Sequence, residues 1–143
     1  MKLSKLHDLK RLNYIELFPG SLFKGYLNEE SIYIDDDSFS FVVAAIKKSF
    51  EQYKPFECLE IEKGQWLSII QELLNLREII ISKDWIKLEE YISLFYIEES
   101  VCKWKLAEYL KINILELEAL INELIGWIEA QLIVNERITL IGL

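Results

Sequence analysis

Residues 31–41 read SIYIDDDSFSF. Ser31-Ile32-Tyr33-Ile34 alternates with period two, as a strand does. From Ser38 the apolar residues Phe39, Val42, Val43, Ile46, Phe50 and Tyr53 recur at three and four, the spacing of one helix face. Asp35, Asp36 and Asp37 stand at the change of period. Asp37 or Ser38 is placed to accept a hydrogen bond from a free N–H of the first turn. The other acids would sit near the positive end of the helix. A cap needs one acceptor, so two readings stay open. The run caps and solvates the helix, or it also forms a surface for a basic partner. Calcium or magnesium is a poor fit, because an EF-hand needs alternating oxygens, a glycine and a later glutamate, and Ser-Phe-Ser-Phe follows instead.

Working outward, Leu22 to Leu27 and Ser31 to Ile34 predict a hairpin across Asn28-Glu29-Glu30, with Tyr14 to Phe18 as a third strand. Downstream, Lys54-Pro55 is expected to end the first helix, since the residue before proline avoids the helical region. Phe56 to Glu62 alternates again, with Phe56, Cys58 and Glu60 on one side. After Gly64 comes a helix whose inner stripe is Trp66, Ile69, Ile70, Leu73, Arg77 and Ile80, with Gln71, Glu72, Asn75 and Glu78 on the wet side. Asp84 to Tyr96 and Val101 to Leu110 read as further helices. Ile114 to Leu132 is strongly amphipathic, with Ile114, Leu117, Ile121, Leu124, Ile125, Ile128 and Leu132 on one face. Arg137 to Leu143 is β-rich and should pair with a sheet. The order predicts one α+β domain: a small antiparallel sheet packed with several helices, the long C-terminal helix leading into a terminal strand.

With 143 residues, 52% of them hydrophobic and 28% charged, the chain has the length and composition of one globular domain with a real core. No apolar run reaches the roughly 18–20 residues of a spanning helix. MKLSKLHDLKRLNY is basic but lacks the features of a signal peptide. Cys58 and Cys102 have no CxxC spacing and read as two reduced, buried thiols of a cytosolic protein. The net charge of −8 disfavours nucleic acid and anionic membrane, and permits a basic protein partner. The acids are unevenly spread. Residues 28–37 hold Glu29, Glu30, Asp35, Asp36 and Asp37 without a base; residues 112–130 hold Glu116, Glu118, Glu123 and Glu129 without a base.

Catalytic signatures do not emerge. His7 is the only histidine, and it has no cysteine or carboxylate at ligand spacing. There is no GxSxG, P-loop, GxGxxG before a helix, or HExxH. One histidine with two distant cysteines supplies too few zinc ligands. No cofactor, metal or catalytic residue is expected. The remaining feature is a row at the edge of the last helix: Glu116, Leu120, Glu123 and Trp127 at i, i+4, i+7 and i+11. A tryptophan flanked by acids can anchor a basic partner, or it can pack beneath a neighbouring segment.

Three stretches carry a resemblance: SLFKGYLNEESIYIDDDSF, FECLEIEKGQWLSIIQELLNL and LINELIGWIEAQLIVNERITLIGL. In that order they resemble bacterial immunity proteins of polymorphic toxin and contact-dependent inhibition systems; Ser82 to Lys111 matches least well. The resemblance implies a cytosolic protein without catalysis that binds and blocks one toxin domain, often a basic nuclease. It transfers no site residues. The expected contact residues, Glu29, Glu30, Asp35, Asp36, Asp37, Glu116, Leu120, Glu123 and Trp127, come from charge and helix geometry. The competing expectation is a regulatory or scaffold module whose C-terminal region forms a protein-binding winged helix. A DNA-reading version is disfavoured by the acids on the exposed helix face. An enzyme is the third class and has no supporting constellation.

Overall fold

The computed structural model of the chain describes residues 1–10, 13–21, Gly25 and 27–142. After a 3₁₀ turn at Leu6–Asp8 come β1 (Tyr14–Pro19), β2 (Ile32–Asp35), α1 (Asp36–Phe39), α2 (Val43–Ser49) and β3 (Cys58–Glu62). The helices α3 (Lys63–Ser82), α4 (Trp85–Ile92), α5 (Glu99–Lys111) and α6 (Ile114–Leu132) precede β4 (Arg137–Gly142). The sheet has the order β2-β1-β4-β3 and every pairing is antiparallel. This is the expected α+β architecture. The terminal strand lies inside the sheet, between β1 and β3, and does not stand out as a wing beside α6.

Alternation divides the sheet into two faces. Ile15, Leu17, Ile32, Ile34, Ile61, Ile138 and Leu140 join the buried core on the helix side. Glu16, Tyr33, Thr139 and Ile141 occupy the other face, and they too are buried. Cys58 and Glu60 extend that second face onto the edge strand β3, where both are exposed. Cys58 is therefore not the buried thiol that was expected, whereas Cys102 is buried. Trp66, fully buried on α3, donates its Nε1–H to the carbonyl of Ile138 at 3.1 Å and ties the helix layer to β4.

Three expectations of boundary change. The helix predicted from Ser38 to Lys54 is two short helices with a break at 40–42. The stripe is as predicted, since Phe39, Val42, Val43 and Ile46 are buried. Its continuity fails because tyrosines from elsewhere take the backbone carbonyls that a continuous helix would use. Tyr96 Oη donates to Ser40 O at 2.9 Å, and Tyr109 Oη donates to Phe41 O at 2.6 Å. β3 starts two residues later than predicted, because Phe56 is left-handed (φ 62°). There the chain passes so close to Gly142 that a Cβ on that glycine would lie 2.7 Å from the Phe56 backbone. Finally, the ladder of β2 comes from β1, Tyr14 opposite Asp35 through Leu17 opposite Ile32. The strand expected at Leu22 to Leu27 falls largely on residues outside those described.

On α3, Leu76 and Ile79 join the predicted stripe, Arg77 is only half-buried, and Glu72 is drawn partly inward to Lys48 (3.4 Å) and the Tyr91 hydroxyl (3.1 Å). The long helix α6 has the predicted bounds.

Candidate partner-binding surfaces

The acids of the strand–helix junction divide by role. Asp35, not Asp37 or Ser38, is the N-cap of α1: its carboxylate accepts from Ser38 N and Ser38 Oγ, each at 2.8 Å. The helix begins as soon as the β2 ladder ends at Asp35, two residues before the period of the apolar residues shows it. Asp35 is half-buried and committed to this cap, so it is poorly placed to serve a partner. Asp36 and Asp37 are exposed in the first turn.

What lies beneath them is a buried lysine. Lys105 of α5 is 2% exposed. Its ammonium donates to Ser40 Oγ and to Glu108 Oε1 (3.1 Å), and sits 3.8 Å from the centre of the Phe41 ring. Burial pushes the Lys105 ammonium down from its ordinary range; Glu108, then Asp37 and Asp36, oppose that shift. The aspartates thus act as near counter-charges for a cation withdrawn from water. The sequence carried a signal for this. Lys105 follows Cys102 by three and precedes Tyr109 by four, so it falls on the inward face of its helix.

Glu29 and Glu30 are exposed in the turn before β2. With the strand between them, this pair is roughly 15–20 Å from the Asp36 end. The two acidic groups of residues 28–37 therefore do not form one surface. Glu16 forms a separate cluster behind β1. Its Oε1 accepts from Leu27 N (2.8 Å); its Oε2 accepts from Asn28 N (3.2 Å), Asn28 Nδ2 (2.9 Å) and Ser31 Oγ (2.5 Å). Leu27 is held there at φ 64°, a conformation leucine rarely adopts. Burial, followed by the charge of Glu16, pushes the Tyr33 phenol well up, and its hydroxyl donates to Asn28 O at 3.0 Å. Both carboxylate oxygens are occupied by the chain's own donors, so this buried acid is a structural pin.

The row expected along α6 is not a surface row. Leu120 is 0% exposed and belongs to the core, and Trp127 is half-buried against it. The buried arc of α6 spans about 140°, from Leu120 to Ile125, wider than the predicted stripe. Leu120 falls inside that arc; Glu116 and Glu123 lie beyond it and are exposed.

The structure also forms a groove that the sequence did not reveal. It lies between α4 and α5, has a volume of about 430 Å³, and is lined by Ile86, Glu89, Glu90, Tyr96, Ile97 and Glu99 among others, with no lysine or arginine. Cys102 reaches it, but burial pushes that thiol up, away from the reactive thiolate. Among the described residues, no group of three or more His, Cys, Asp or Glu side chains could hold a metal, and no helix is long and apolar enough to cross a membrane. Compared with family models, curated proteins and solved structures, the chain matches none of them.

Proposed function

We propose that this protein is a non-catalytic binder that neutralises a basic toxin domain, an immunity protein for the cell that makes that toxin. One observation carries the reading. Glu29, Glu30, Glu116 and Glu123 are all exposed, and none of them forms an ion pair among the described residues. Such charges leave a negative field over the surface, which speeds encounter with a basic partner and repels phosphate backbones. The resemblance of the three sequence stretches to immunity proteins supplies the class of partner.

The test is to look beside this gene for a reading frame that encodes a toxin domain, to co-express that domain with this chain, and to follow binding kinetics of the purified pair. Neutralisation at one-to-one stoichiometry is expected, with an association rate that falls as salt rises. A toxin that kills equally with and without this chain would sink the reading. Turnover of a substrate by the chain alone would replace it with an enzymatic one.

A further inference from the structure

We propose that the groove between α4 and α5 is the surface that receives the partner, and that its occupant is a basic protein segment carrying an arginine or lysine beside apolar side chains. This rests on the binding reading above, and names a surface outside all the acids on which that reading stands.

Single exposed apolar residues are ordinary on a protein surface. Ile86 (78% exposed) and Ile97 (84%) differ because both line one concavity, together with three carboxylates. α4 turns Leu88, Tyr91 and Ile92 into the core, and α5 turns Cys102, Lys105 and Tyr109 inward. The two isoleucines are left outside by that arrangement, Ile86 in the first turn of α4 and Ile97 in the segment that joins the two helices.

Charge separates this groove from the others among the described residues. The concavity beside α3, about 420 Å³, contains Lys48 and Lys87 with Glu78 and Asp84. The one at the N-terminal segment, about 340 Å³, mixes Lys2 and Lys10 with Asp8 and Asp35. At the foot of α6, Lys63 faces Glu129 in about 160 Å³. Each carries both signs. A notch at Asp35–Asp37 lacks bases, but it holds only about 70 Å³ and has no apolar wall. The α4–α5 groove alone in this set combines room, apolar wall and a single sign of charge.

That combination fits a long cationic side chain. Its aliphatic stem can lie against Ile86 and Ile97 while its head reaches Glu89 and Glu90. Glu99 is shared with Lys103 at 3.5 Å, an exposed pair that a stronger guanidinium contact can exchange. Tyr96 has committed its hydroxyl to Ser40 O, which leaves its ring to the groove as a surface over which a cation can sit.

The probe is a synthetic peptide of alternating arginine and leucine, titrated into the isotope-labelled full chain and followed by amide chemical shifts. Shifts are expected to concentrate at Ile86, Glu89, Glu90, Ile97 and Glu99. Glu89→Gln with Glu90→Gln, and separately Ile97→Ser, should each weaken binding by about tenfold, with thermal unfolding unchanged. A glutamate–leucine peptide should not bind. Shifts absent from the groove, spread evenly over Glu29, Glu30, Glu116 and Glu123, or unaffected by the groove variants would overturn the proposal. The same variants are then measured against the toxin domain. A chain that neutralises toxin equally well with the groove altered disproves the docking surface and keeps the immunity reading. A groove that binds the peptide in a chain that neutralises nothing keeps the surface and disproves the immunity reading.

Discussion

Glu16 and Lys105 are both withdrawn from water, and the molecule satisfies them in opposite ways. Glu16 receives its hydrogen bonds from neutral donors on a single short segment, Leu27 to Ser31. Lys105 is held by a hydroxyl, a carboxylate and an aromatic face, with two aspartates close by. The first arrangement organises a loop, because backbone N–H groups turn toward one acceptor. The second ties α5 to the break between α1 and α2, because a cation attracts whatever negative groups can reach it. The difference gives the three aspartates their local meaning: one caps α1 and the other two balance the lysine below.

The contrast can be broken by mutation. Glu16→Ala removes an acceptor from several donors at once and should cost about 4 kcal/mol in chemical unfolding, since each buried donor left unpaired costs about 1–3 kcal/mol. A loss under about 1 kcal/mol would mean that water replaces the carboxylate and that the pin is no pin. Leu120→Ala calibrates the scale. Now that the residue is known to be core, it should cost about 2–5 kcal/mol, and a neutral result would return it to the surface.

Smaller effects sharpen the other half of the comparison. Asp35→Ala should cost about 0.5–2 kcal/mol as a lost cap, and Asp36→Asn clearly less; the reverse order would put the cap at the wrong residue. Lys105→Met should change stability by less than about 1 kcal/mol at neutral pH, because an apolar chain of similar length needs no counter-charge. Its signature is in the pH profile. Folding lowers the Lys105 pKa below its ordinary 10.5, so the folded state binds fewer protons there and this residue's contribution rises as pH approaches that value. The buried phenols act in the other direction. Burial pushes up Tyr33, Tyr53 (to about 12), Tyr91, Tyr96 and Tyr109. Their unfolded counterparts ionise near 10, so the stability they confer is complete below pH 10 and is lost as pH climbs above it. Unfolding followed from pH 8 to 12 should show a net alkaline loss, steeper in Lys105→Met than in the wild type. Equal slopes would remove Lys105 from the account.

Much of the fold was legible. Ile114 to Leu132 appeared with its bounds, because a long amphipathic period leaves little choice about which side faces in. The break at 40–42 was not legible, since it depends on hydroxyls arriving from Tyr96 and Tyr109, more than fifty residues away in the chain. The candidate surface divided in the same manner. Glu29, Glu30, Asp36, Asp37, Glu116 and Glu123 are exposed as expected, because ionised carboxylates rarely leave water without a partner. Leu120 was misplaced, since periodicity gives the direction of a face and not the width of the arc its neighbours enclose. Ile86 and Ile97 gave no warning, because a groove exists only once two helices stand beside each other.

By itself, then, the sequence determined the order of strands and helices, the inward faces and the excess of exposed acid, all of which follow from periods of two and 3.6 and from the hydration of charge. Tertiary structure decided where Asp35 ends a strand and starts a helix, why a lysine can be buried under two aspartates, and which acids share a concavity with apolar side chains. Those outcomes depend on residues far apart in the chain meeting at a few ångströms, and no local pattern encodes such a distance.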